Sequence, residues 1–98
     1  MKLKVLEEAR KQYLAERAWW VENTDHKKLF AREYRDAIRH LLVSPESGTI
    51  YTQRRGRVIR RWLMPKTQYH IYYRFDAEAQ VIVIYTLWSA TRGHSPEV

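Results

Sequence analysis

Cysteine is absent from this 98-residue chain, which excludes a disulfide framework and any thiolate metal site and is consistent with a reducing compartment. Long apolar runs are missing as well. The longest, Val81 to Tyr85, falls far short of the ~20 residues that a membrane span requires. The opening MKLKVLEEARKQYL has no uninterrupted apolar core of the signal-peptide kind, so the expectation is a cytoplasmic protein with no membrane association. His26, His40, His70 and His94 show no paired ligand spacing, and the sequence therefore predicts neither a metal nor a cofactor. There is no internal repeat and no low-complexity segment.

One further absence is local. From Ser47 to Phe75 there is no acidic residue, while Arg54, Arg55, Arg57, Arg60, Arg61, Lys66 and Arg74 contribute seven positive charges. Outside that window the remaining 11 basic residues balance the 11 acidic ones, so the net charge of +7 belongs to one stretch of chain. A charge excess gathered in this way predicts a positive surface region aimed at a polyanion or an acidic partner. What is present elsewhere, 45% hydrophobic and 30% charged residues, is the composition of a chain that folds. At this length it folds as one domain, residues 1–98.

The periodicity predicts an α+β order. Lys2 to Leu6 alternates charged and apolar residues, as a short edge strand does. Glu7 and Glu8 open a helix, their charge suiting the positive end of its dipole, and Ala9, Tyr13, Leu14, Ala18, Trp20 and Val21 form a broad apolar stripe. Asn23-Thr24-Asp25 ends it and offers Thr24 or Asp25 as N-cap of a second helix. That helix carries Phe30, Tyr34, Ala37, Ile38, Leu41 and Leu42 on one face and stops at Ser44-Pro45. The short connection makes the two helices an antiparallel hairpin. Residues 45–56, rich in Pro, Gly, Ser and Thr, read as a long loop. A three-stranded antiparallel meander follows, from Arg57 to Met64, Tyr69 to Phe75 and Val81 to Trp88, forming with the first strand one twisted sheet packed on the hairpin. Tyr69, Ile71, Tyr73 and Phe75 share the face expected to meet the helices, and His70, Tyr72 and Arg74 share the other. With no third helix to cover it, that basic, aromatic face invites a partner.

Several segments in this order resemble the RelE/ParE superfamily of toxins from bacterial type II toxin–antitoxin pairs. They are the strand VLEEA entering a helix with Trp19-Trp20, the helical hairpin, the Ser44-Pro45 turn with Gly48, and a strand carrying Arg61-Trp62. KTQYHIYYRFD followed by VIVIYTLWSATRGHSP is similar to the ParE branch in particular. The resemblance implies a twisted antiparallel sheet on a helical hairpin and a cognate acidic, ParD-like antitoxin with which the chain forms a hetero-oligomer. For the ParE branch it implies inhibition of DNA gyrase, and for the RelE branch cleavage of messenger RNA on the ribosome.

The residues weigh between these. A metal-free ribonuclease needs a base, a cation for the crowded phosphorane and an acid, and the parts available are His70, Arg61, Arg74 and His94. The arginine that opens the corresponding strand of the ribonuclease branch is replaced here by His70, a departure from that pattern. The binding reading asks for less, since guanidinium groups fork onto carboxylates and aromatic residues anchor interfaces. Arg57, Arg60, Arg61, Tyr72, Arg74, Trp88 and Arg92 are the candidate antitoxin or target contacts, with no catalytic residue. Direct nucleic-acid binding by the arginines ranks last, because it leaves an apolar sheet face unexplained.

Overall fold

Alternation in the first strand and helical spacing in the next two segments are realised in a computed structural model that describes residues 1–98. The elements are β1 (Lys2–Val5), α1 (Glu7–Asn23), α2 (Leu29–Val43), β2 (Thr49–Arg54), β3 (Arg57–Met64), β4 (Tyr69–Asp76) and β5 (Val81–Ser89). They build one five-stranded sheet in the order β1-β5-β4-β3-β2. β1 lies parallel to β5 at one edge, and the other pairs are antiparallel. The class is α+β with the hairpin on one face, as expected, and β1 is an edge strand.

Three expectations are corrected. Residues 45–56 are no long loop: Thr49–Arg54 is a strand that pairs with β3 through Thr49↔Arg61 to Arg54↔Arg57. The turn is just Arg55-Gly56, with φ of 51° and 78°, the two left-handed residues that match the strand twist in a tight hairpin. Glycine takes the second of these positions at no steric cost. The apolar stripe of α1 is also narrower than the sequence suggested. Ala9, Tyr13, Glu16 and Trp20 turn inward, while Leu14, Ala18 and Val21 are exposed. Neither Thr24 nor Asp25 caps α2, whose N-cap is Lys28 with no side-chain bond. Thr24 instead closes α1, donating to the Trp20 carbonyl at 2.8 Å and accepting from the His26 amide at 3.1 Å.

The core lies between hairpin and sheet. Phe30, Ala37, Ile38 and Leu41 of α2 and Ala9 of α1 meet Met64, Tyr69, Ile71, Tyr73, Ile82, Ile84 and Leu87. In β5, Ile82 and Ile84 reach this core at even positions and Leu87 at an odd one. The change of phase comes from an extra residue, Tyr85, since Tyr72 pairs with Thr86 and Tyr73 with Ile84. Such a bulge lets one strand serve the same face on both sides of the insertion. It leaves Tyr85 and Trp88 to face away from the helices.

The loop from α2 into β2 is pinned from below. The Tyr73 hydroxyl donates to the Pro45 carbonyl at 2.8 Å and accepts from the Gly48 amide at 2.9 Å. A Cβ on Gly48 would come within 2.6 Å of that hydroxyl and 2.8 Å of the Arg61 carbonyl, so only glycine fits.

Candidate functional site

Side chains on alternate positions of β2 to β5 define the sheet face away from the hairpin. β3 presents Arg57, Ile59, Arg61 and Leu63, and β4 presents His70, Tyr72 and Arg74, because Arg61 pairs with Tyr72 and Leu63 with His70. Trp88 pairs with His70. Tyr51 of β2 joins them, its ring 4.9 Å from that of Tyr72 and edge-on to it, with the Arg61 guanidinium 5.6 Å from the Tyr51 centroid. The Arg61 guanidinium also reaches the Tyr72 hydroxyl at 3.5 Å.

The electrostatics of this face are uneven. Arg74 is engaged, donating to the Tyr85 hydroxyl at 3.2 Å and lying 3.7 Å from Asp76. No carboxylate lies within ion-pair distance of Arg54, Arg55, Arg57 or Arg61, since the ion pairs of the chain involve Arg10, Arg39, Arg60 and Arg74. Arg54, Arg55 and Arg57 flank a cleft of about 540 Å³ whose floor is Ile59 and Tyr85. His70 is half-buried, and burial first, then the nearby Arg61 cation, push its imidazole below the ordinary value of 6.5.

Six of the seven candidate contacts share this side. Arg57, Arg61, Tyr72 and Arg74 lie on the face, Trp88 borders it, and Arg92 stacks over the Trp88 ring at 4.2 Å. The seventh, Arg60, is on the helix side, where it pairs with Tyr73 across the strands. There it donates to the Glu46 and Gly48 carbonyls at 3.1 and 2.9 Å and lies 3.7 Å from the Glu46 carboxylate. It holds a loop rather than presenting a contact. Of the ribonuclease parts, Arg61 and His70 are neighbours, whereas His94 packs edge-on against Trp88 at 5.4 Å. No three histidine, aspartate or glutamate side chains are grouped so as to hold a metal ion.

Tyr51, Ile59 and Tyr85 also belong to this side, and the sequence pattern does not single them out. The β-branched and aromatic run Thr49-Ile50-Tyr51-Thr52 ahead of the Arg55-Gly56 turn is the signal that could have found Tyr51. The expectation of an uncovered face is corrected: Ile59 and Tyr72 are 4% and 1% exposed, because residues after β5 fold back across it, with Pro96 buried and its carbonyl 2.8 Å from the Tyr51 hydroxyl.

No family model matches the sequence, and no curated protein matches it. Solved structures do match the fold. The isolated RelE toxin of Escherichia coli superposes with a TM-score of 0.65 at 15% identity, covering 94% of this chain and 86% of that one. The chromosomal ParDE toxin–antitoxin system of Pseudomonas aeruginosa gives 0.63 at 14% identity over 91% and 95%. The archaeal RelE–RelB complex of Pyrococcus horikoshii gives 0.58 at 18% identity over 94% and 97%.

Proposed function

We propose that this chain, which has the fold of the RelE and ParE toxins, is the toxin of a type II toxin–antitoxin pair. It acts by stoichiometric binding, with DNA gyrase as target and a small acidic antitoxin as the partner that neutralises it. The observation that carries the binding reading is the group of four guanidinium groups without carboxylate partners, Arg54, Arg55, Arg57 and Arg61, set beside Tyr51, Ile59 and Tyr85 on one side of the sheet. Unpaired cations around an aromatic floor suit bidentate capture of carboxylates from a partner.

The reaction-centre reading draws support from one feature, the half-buried His70 beside Arg61, which sets a neutral base near a cation. Against it, Tyr72 is buried, Arg74 is committed to Tyr85 and Asp76, and His94 is turned onto Trp88. The binding reading requires none of these to be released.

Two assays on the purified chain separate the readings. Supercoiling by DNA gyrase is expected to be inhibited at near-equimolar toxin, and message on translating ribosomes to stay intact. Message cut at defined codon positions, with cutting abolished by His70→Ala, would replace the binding reading with the ribonuclease one.

A further inference from the structure

One face of α1 plays no part in the core. Ala9, Tyr13 and Trp20 pack inward, with Glu16 between them accepting from the Tyr69 hydroxyl. Lys11, Leu14, Ala15, Ala18, Trp19 and Glu22 follow the i, i+3, i+4, i+7, i+8, i+11 spacing that lines the opposite side of a helix. All six are exposed. Two of them are large and apolar, and Leu14 and Trp19 leave 45% and 50% of their surface in water. Trp19 is braced all the same, its ring set edge-on to that of Trp20 at 5.8 Å, so little side-chain freedom remains to be lost on contact.

The order of residue types along this face is the same from either end. Counted outward from the point midway between Glu16 and Arg17, Ala15 and Ala18 lie at equal distances, then Leu14 and Trp19, then Lys11 and Glu22. Small residues hold the centre, large apolar ones come next, and opposite charges stand at the two ends. Such a helix complements a second copy of itself laid antiparallel, because a two-fold axis exchanges its halves. The alanines allow the helix axes to approach closely, and Leu14 and Trp19 close over the alanines of the other copy. Each Lys11 ammonium then meets the Glu22 carboxylate of the other copy. Neither residue has an ion-pair partner within its own chain, so the second copy supplies one to both.

We propose that this chain self-associates through the outer face of α1 as a two-fold symmetric, antiparallel dimer. A single pair of helices makes an interface at the small end of the specific range, so the dimer forms at micromolar concentration and dissociates on dilution. It leaves Arg54, Arg55, Arg57 and Arg61 free, since they lie on the far side of the sheet from α1. Its failure would therefore leave the docking reading untouched.

Sedimentation equilibrium of the purified full chain across the micromolar range measures the dimer, and charge reversal tests its register. Lys11→Glu opposes two carboxylates at each end of the contact, and Glu22→Lys opposes two ammonium groups. Each single variant is expected to dimerise about tenfold more weakly than the parent. An equimolar mixture of the two is expected to recover the parent affinity, because every end of the mixed dimer again joins opposite charges. Trp19→Ala should leave the chain monomeric with an unchanged far-ultraviolet circular dichroism spectrum. A parent that stays monomeric throughout the range would overturn the dimer. Association that is indifferent to both reversals, or single variants that the mixture does not rescue, would overturn this interface.

Discussion

At the scale of single residues, His70 is the group whose chemistry departs most from its ordinary behaviour on the candidate face. Burial, with Arg61 adding repulsion, depresses its folded value below 6.5, so between that depressed value and about 6.5 the unfolded chain binds more protons than the folded one. The resulting stabilisation is fully present above about pH 6.5 and is lost as pH falls through the folded value. Urea unfolding at pH 7.5 and pH 5.5 is therefore expected to show a loss of stability on acidification that is reduced in His70→Gln; an identical loss in both proteins would assign the slope to other groups. Residue type alone marked His70, Arg61 and Arg74 as interesting, but it gave no means to separate Arg61, free of any carboxylate, from Arg74 beside Asp76, or from Arg60 holding the α2–β2 loop. Those differences depend on which strand lies next door.

At the scale of elements, the α2–β2 connection carries the sharpest structural constraint. The Tyr73 hydroxyl bridges Pro45 and Gly48, and Gly48 has no room for a side chain. Gly48→Ala forces apart the loop and strands β3 and β4, an overpacking of the kind that costs about 1–3 kcal/mol. Denaturant unfolding is expected to show a loss in that range, and an unchanged midpoint would mean that the loop yields freely. The strands of the meander and the length of α2 were legible because period-2 and period-3.6 apolar patterns report burial directly. β2 was not, since an edge strand with Ile50 exposed and Gln53 facing out lacks the apolar face that makes a strand conspicuous. α1 misleads for the opposite reason. Apolar residues surround it on all sides, and only packing decides that Ala9, Tyr13 and Trp20 go inward while Leu14 and Trp19 stay exposed.

At the scale of the whole molecule, charge and topology act together. The sheet places β2 and β3 at the edge opposite β1, so Arg54, Arg55, Arg57 and Arg61 of the acid-free stretch collect on one flank, away from the helices. On the docking reading proposed above, binding of an acidic peptide segment is expected to weaken steeply with added salt. Arg61→Ala should reduce both the affinity and that salt dependence, and Arg74→Ala should do so less, because Asp76 already offsets its charge. Titrations at two ionic strengths check this, and equal insensitivity of both variants would place the contact elsewhere. No helix is long and apolar enough to cross a membrane. The sequence by itself determined the α+β class, the helical hairpin, the three meander strands and the local surplus of positive charge, because hydrophobic period and composition are properties of neighbours in the chain. Only the tertiary structure decided that Arg60 points away from the other arginines, that a bulge at Tyr85 re-phases β5, and that residues 93–98 lie over the sheet. Each of these depends on pairing between segments far apart in sequence, and local pattern carries no record of such pairing.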